Sequence, residues 1–570
     1  MKTTNFRIRL YSIAACVTVC LTSNSLLAQQ PQIEEVNIVG NFTPTIGDAN
    51  KVLKNPSLPD TTISMPPLNY SIISRPMQVS FPLYGIEARK LDAEEDAKLL
   101  KNYIKAGFGN YTTPYVEFFA NKPQNKRSAL GLHFRHLSSQ GDIKDYAESS
   151  FAHNEIELYG KYMGANYLWR ASGSYNRHML HHYGRPDTSL SITLNALNPD
   201  SIKQVYNHVN LTTGFESLGT QGNDLHHYAQ LSIGYFVNNR KRSELNPSLK
   251  AGLDTETRWF GFTSNEKIGL DFTASLWANK QKDSSSTAFT LAFNPYFKLL
   301  FEEYELRLGL NITSLHDTST TLNIFPEAEG SLNIVPGVLR LYGGIKGGIT
   351  RYSYQNLAGI NPHLAEAAQA RFSKNEFEFY GGLNTSLGRY FDFRASVSGA
   401  KLTNMPFFYN DTTSYLRNTF AVVYDKGSRL TANGEFSFHN KEKYVVIIGA
   451  AFNSYSTDSL EKAWHTPALH IYLNSKFVLK NKFVLKARLD AAGKSFAPNY
   501  YYDAANATWA EDLPSELEGF VDLSLGLEYH INKRLMAFGD FNNLAGKNYM
   551  RWNGVPVFGI NILAGLSYSF

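Results

Sequence analysis

Six histidines fall within fifty residues: His178, His181, His182, His208, His226 and His227, and the triplet "HHY" occurs twice. Imidazole binds metals and titrates near neutral pH, so this crowding raises a metal site or proton-transfer chemistry. A metal site needs ligands that converge at about 2.0–2.1 Å on one ion. Following the alternation of the chain, His178 to His182 end one ascending strand, while His226 and His227 begin another. Those two groups therefore lie a full strand length apart. A local site at His178, His181 and His182 is the one alternative, and polar loop and interfacial residues are the favoured reading. No metal ligand and no cofactor is assigned.

Other catalytic patterns are absent from the sequence. There is no G-x-S-x-G and no H-E-x-x-H. The clusters "YGGIKGGI" (Tyr342 to Ile349) and "YGGL" (Tyr380 to Leu383) fall in strands, where glycine eases close approach or bending rather than cradling a phosphate. "NKPQNKRS" and "NNRKRSE" are basic, and as turns they are expected to be solvated. No catalytic residue is assigned, and the chain is read as a non-enzyme.

The elements that would position any site are strands. "FVDLSLGLEYHI" sets Val521, Leu523, Leu525, Leu527 and Tyr529 on one face and Asp522, Ser524, Gly526, Glu528 and His530 on the other. "YELRLGLNIT" divides in the same way. "EFEFYGGLNTSLGRYFDFRASVSG" reads as a complete hairpin turning at Gly388-Arg389-Tyr390. Tight turns are legible at Gly164-Ala165-Asn166, Val335-Pro336-Gly337 and Asn532-Lys533-Arg534. The alternating segments run well past the ~5–6 residues of ordinary soluble strands. One face stays nearly free of charge along its whole length, while the other carries Arg, Asp, Glu and Asn. Lipid outside and water inside impose that division.

The expectation is an all-β transmembrane antiparallel barrel of about 22 strands in the outer membrane of a Gram-negative envelope. A barrel with both chain ends on one side needs an even strand count. This requires "NTFAVVYDKGSRLTANGEFSFHN" (Asn418 to Asn440) to be one long strand rather than two. Short turns at one end should alternate with longer polar stretches at the other, such as "SFAPNYYYDAANATWAEDLPSELE" (Ser495 to Glu518). The last strand, ending at Tyr568 and Phe570, should pair with the first, near Tyr103 to Tyr111, so that no edge is left exposed.

Composition agrees. Aromatics reach 14%, with 34 Tyr and 37 Phe, residues that favour strands and membrane–water interfaces. A net charge of +5 over 570 residues gives no reason to expect a nucleic-acid partner. Residues 1–28 read as a signal peptide, with Lys2, Arg7 and Arg9 ahead of an apolar run and cleavage after Ala28. The apolar core ahead of Cys16 is short for lipidation. Both cysteines, Cys16 and Cys20, fall inside that signal, so the mature chain would hold neither disulfides nor thiol chemistry.

Residues 29–98 form a second region and 99–570 the barrel. Eight of the 22 prolines lie between Pro31 and Pro82, which forbids a compact helical or sheet domain. The same stretch carries many large apolar groups. Tyr70, Ile72, Val79 and Phe81 are its candidate docking residues, to be covered by the lumen or by another protein.

The stretch Ala537 to Phe570, with "NNLAGKNY" (an N-N-L-x-x-x-x-Y strand end) and an aromatic-terminated final strand, resembles the end of TonB-dependent outer-membrane receptors. Near the start, "IEEVNIVG" resembles a TonB box, with Glu35, Val36, Asn37, Ile38 and Val39 at its centre. The resemblance implies a 22-strand barrel, transport, and a TonB-type energising partner. It also implies that Tyr568 and Phe570 are the signal read by the β-barrel assembly machinery, with lipid and lipopolysaccharide outside. The departure is the plug. That family places a folded domain of well over a hundred residues ahead of the barrel, and here only about 65 proline-rich residues stand there. Two functions follow: a channel or transporter for an unidentified substrate, or a plug-less barrel that serves as a structural or assembly partner in an outer-membrane complex, its N-terminal segment recruiting other periplasmic or outer-membrane proteins.

Overall fold

The computed structural model describes residues 101–570, apart from 126, 185–197, 219–224, 260, 263–264, 414–415, 442 and 504–507. The signal peptide, the TonB-box-like residues Glu35 to Val39 and the segment containing Tyr70, Ile72, Val79 and Phe81 lie outside the described residues.

Twenty-two antiparallel strands form one closed sheet. The closing strand Asn561–Ser569 pairs with the first, Asn102–Gly109, in a register running from Tyr103↔Ser569 to Gly109↔Leu563. The two ends lock reciprocally: Asn102 N–H donates to the Phe570 carbonyl at 3.2 Å and Phe570 N–H to the Asn102 carbonyl at 2.9 Å. Closure leaves no row of unpaired backbone groups, which hydrocarbon would not tolerate.

The side-chain division follows the strand period of two. On the strand Phe520–His530, Leu525 and Leu527 are 37% and 45% exposed, whereas Asp522 and Glu528 are 6% and 4% exposed. The apolar set therefore faces outward and the charged set faces the lumen. A closed barrel with an apolar outer surface is an outer-membrane structure. Among the described residues no helix is long and apolar enough to cross a membrane.

Phe420–Asn440 is a single 21-residue strand, as the parity of the strand count requires. The hairpin Arg371–Leu387 to Phe391–Asn410 turns where expected, with Gly388 at φ +71°. Gly337 at φ +72° serves the turn after Val335. Asn532 Oδ1 accepts from the Arg534 and Leu535 amides at 2.8 and 2.9 Å, which fixes the turn into the strand Leu535–Asn542. The stretch Ser495 to Glu518 is, as expected, a long connection between two barrel strands. It forms its own two-stranded sheet, Ser495–Asp503 against Thr508–Leu517, in keeping with the strand preference of its Tyr and Trp residues.

Candidate functional site

The inward faces of the strands and the long loops opposite the chain termini together make the site. At that outer end, loops rooted at many points of the rim meet in one apolar cluster. It includes Ile143, Tyr183, Leu357, Leu364, Phe420, Trp552 and Phe558. Loops that start from separate sides of a barrel can share one core only by folding inward across its opening.

The largest contribution comes from residues 353–370. Ser353 and Asn356 form a capping box that starts the helix Tyr354–Ile360. The two free amides of its first turn, Tyr354 and Gln355, donate to the Glu244 carboxylate on the wall at 2.9 and 3.0 Å. A carboxylate there satisfies orphan donors and complements the positive end of the helix. Arg242 holds the other end of the loop. Its guanidinium donates to the Glu366 and Ala368 carbonyls at 2.8 and 2.9 Å and stacks 4.1 Å from the Tyr354 ring. The basic run "NNRKRSE" is thus not a plain solvated turn, because Arg242 is 2% exposed. Nothing in the local sequence marks Arg242 from its neighbours; its partners are more than 120 residues away.

The loop 543–560 closes from the opposite side. Trp552 packs against Phe408, Phe420 and His465. The Tyr183 hydroxyl donates to the Pro556 carbonyl at 2.8 Å. This loop also gives the N-N-L-x-x-x-x-Y pattern a physical reading. Asn543, at φ +47°, uses its side-chain amide to bind the Lys547 and Phe558 carbonyls. Tyr549 stacks on Phe520 and donates to Asp522 at 2.9 Å. Burial, together with the Asp522 carboxylate, pushes the Tyr549 phenol far above its usual range, so it stays a hydrogen-bond donor.

The histidines disperse to separate partners. The His178 ring lies 3.8 Å from His153, His181 Nδ1 is 2.9 Å from the Ser150 carbonyl, and His182 faces His363 at 3.4 Å. His208 meets Gln355 at 3.0 Å, near the cap. His226 pairs with Asp254 at 2.9 Å at the other end of the barrel, beside His227, whose Nδ1 is 3.0 Å from the Leu225 carbonyl. Among the described residues no three potential ligands converge. Burial depresses the cap histidines: His182 lies well below its usual range, His363 falls to about 3 and His465 to about 4. All three are neutral at pH 7. Beside His182, a cavity of about 700 Å³ is lined by charges of both signs, among them Arg240, Lys282, Asp283, Glu366 and Asp411.

Below the cap, the lumen wall is laced with ion pairs. Arg307 bridges Glu327 at 2.6 Å and Asp271 at 3.4 Å, and Lys486 meets Glu528 at 2.7 Å. Towards the terminal end, tyrosines lie across inward-facing glycines of the paired strand. Tyr159 covers Gly131, Tyr228 covers Gly252, Tyr296 covers Gly269 and Tyr472 covers Gly449, while Tyr342 and Tyr380 cover Gly382 and Gly344 reciprocally. In each case the two residues are direct cross-strand partners. A Cβ at any of these glycines would collide with the ring, so Gly344 and Gly382, one from each glycine cluster, seat tyrosines. Tyr568 and Phe570 sit at the terminal end, stacked 6.0 Å apart and half exposed on the outer surface.

No family model and no curated protein matches this chain. Solved structures do. The pyoverdine outer-membrane receptor FpvA of Pseudomonas aeruginosa PAO1, bound to pyoverdine, superposes with a TM-score of 0.61 at 12% identity, over 83% of this chain and 78% of that one. The ferric-catecholate import receptor Fiu of K12 E. coli gives 0.60 at 12%, over 83% and 82%. The iron transporter FrpB of Neisseria meningitidis gives 0.60 at 10%, over the same shares. The barrel has the TonB-dependent receptor fold. The expectation drawn from the last two strands and the count of 22 therefore holds for the architecture, and at these identities the likeness concerns architecture alone.

Proposed function

We propose that this barrel is an outer-membrane uptake protein, shut at rest by its own outer loops and opened when a solute engages them. The observation that carries this reading is the cap. Arg242, Glu244 and Trp552 are buried, committed to holding loops across the mouth, and a mere membrane anchor would have no use for such a closure. The polar cavity beside His182 suits a small solute bearing both charges, and the ion-paired lumen suits its passage through water. Non-catalytic transport also accords with the receptors and transporters that share the fold. Glu35 to Val39 would be the contact with a TonB-type energising protein.

The second reading, a structural partner in an outer-membrane complex, is favoured by the proline-rich stretch ahead of Asn102, whose large apolar groups call for a covering surface. One experiment separates the two. Deleting Glu35 to Val39 should abolish in-cell cross-linking to the energising protein while the barrel still folds. A stoichiometric partner that co-purifies equally well with and without these five residues, and no energising contact in either, would favour the structural role.

A further inference from the structure

Charge is spread unevenly around the terminal end of the barrel. Six cations stand on three consecutive turns of the rim: Lys441 and Lys443, then Lys480 and Lys482, then Lys533 and Arg534. Lys101 continues the arc at the foot of the first strand, beside the closing one. All seven are exposed, and among the described residues none is in an ion pair. Glu442 is the one side-chain carboxylate in those turns, and Arg389 and Arg127 flank the arc on the turns to either side. The other five stretches that join strands at this end, residues 164–166, 218–225, 258–264, 301–303 and 336–338, hold Arg258 against Asp224, Glu302 and Glu303. The basic turns are also locked in series. The Lys443 carbonyl accepts from the Val478 N–H at 2.7 Å, Lys482 from His530 at 2.7 Å, Arg534 from Ser569 at 2.7 Å and Lys101 from Asn121 at 3.1 Å. Neighbouring turns stand two strands apart, about 10 Å at ~4.8 Å per strand. That is close to the Debye length of about 8–10 Å, so their charges act as one stripe.

We propose that this arc is a binding site for anionic phospholipid of the inner leaflet, with the lysines and Arg534 taking its phosphodiester groups. Two observations select lipid over a periplasmic protein. The first is what adjoins the cations. On the outer face of the same strands Tyr444 meets Phe477 at 6.3 Å, Phe483 meets Tyr529 at 4.9 Å, and Tyr568 meets Phe570 at 6.0 Å. Tyr444 directly follows Lys443, and Phe483 directly follows Lys482. Aromatic rings on a lipid-facing surface lie at the headgroup level, so the cations beside them stand at the level of the phosphates. The arc therefore continues the interface that the barrel wall already makes with lipid. The second observation is shape. Turns of three or four residues, each tied to the next strand, offer a protein neither a pocket nor a free strand edge, whereas a single row of charge suits a row of headgroups. A zwitterionic headgroup brings its own ammonium group and leaves the cations uncompensated; a headgroup with net negative charge does not. The site uses only the rim, so it holds for either function proposed above.

The test uses the full-length protein in phosphatidylcholine vesicles doped with spin-labelled phosphatidylglycerol or spin-labelled phosphatidylcholine. Electron paramagnetic resonance reads the fraction of each label immobilised at the barrel. The wild type should hold phosphatidylglycerol several-fold more strongly, and high salt should erase that preference. Lys480→Gln/Lys482→Gln/Lys533→Gln should remove most of it. Lys144→Gln/Lys426→Gln/Lys462→Gln, which neutralises three exposed lysines at the outer end, should leave it intact. Heat-modifiable migration checks that both variants fold. Equal immobilisation of the two labels by the wild type would overturn the proposal, and so would a preference that survives high salt or falls equally in the two variants. If the first variant does not fold, the salt response of the wild type decides. In growing cells, p-benzoylphenylalanine in place of Ile531, an exposed residue of the third turn, should give phospholipid adducts. A stoichiometric protein adduct there would assign the arc to a protein and overturn the lipid site.

Discussion

The two ends of this barrel solve different problems with different residues. The outer end is closed by contacts distant in sequence: Arg242 to Glu366 and Ala368, Tyr183 to Pro556, Trp552 to Phe408 and Phe420. The terminal end is shaped by neighbouring strands, with each tyrosine resting on the glycine directly opposite. The first is a tertiary core shared by loops from many points of the rim. The second is a fixed wall that cannot rearrange without unpairing the sheet. On the proposed reading, movement belongs to the cap and rigidity to the wall.

The sharpest way to break the contrast is to hollow out the cap. Trp552→Ala should cost about 3–5 kcal/mol locally, the usual penalty for removing a large buried aromatic. Since the strands do not depend on it, loop protection in hydrogen exchange should be lost while strand protection persists. Loss of both together would mean that cap and wall form one cooperative unit. The wall is tested next. Leu525→Arg places a charge against lipid and should cost roughly 2–4 kcal/mol near the midplane, whereas Ser524→Arg faces the lumen and should be tolerated. Urea-dependent folding into vesicles measures both, and equal costs would contradict the assigned faces.

Acid should loosen the cap. His363 is buried neutral with its pKa depressed to about 3, so an opened cap binds more protons than a closed one once pH falls below the ordinary value near 6.5. Closure is then undiminished above that pH and weakens as pH falls toward 3. At pH 5 the loss is about 2 kcal/mol for one such histidine, with His182 and His465 acting in the same direction and the nearby Arg240 cation adding to the strain. Hydrogen exchange of residues 353–370 at pH 7 and 5 should show the change, and identical protection would refute it. The smallest effect concerns neither end of the contrast but its making. Deleting Phe570, on our reading part of the assembly signal with Tyr568, should lower the yield of heat-modifiable barrel without altering the stability of molecules that fold.

The same contrast explains how much the sequence could reveal. Strands, turns and their count were legible because alternation is local: Leu525 against Asp522, Gly388 in its turn, and the parity that joins Asn418 to Asn440. The tyrosine seats were half legible. "YGGIKGGI" showed glycines in a strand, but the partner ring became visible only once Gly344 was placed opposite Tyr380. The cap was not legible. Arg242 looked like one more base in a turn, because what buries it comes from residues 366 and 368. The separation of His178 and His182 from His226 was legible too, because following the strands puts a full strand length between them.

The central claim is that the outer loops alone close the mouth. Single-channel conductance in planar bilayers, at neutral pH, of a chain lacking residues 29–98 tests it most directly. On this account the truncated barrel stays at low conductance, and adding Arg242→Ala, which releases the loop 353–370, opens a large aqueous pore. A large pore on truncation alone, unchanged by Arg242→Ala, would show that the loops do not seal the barrel.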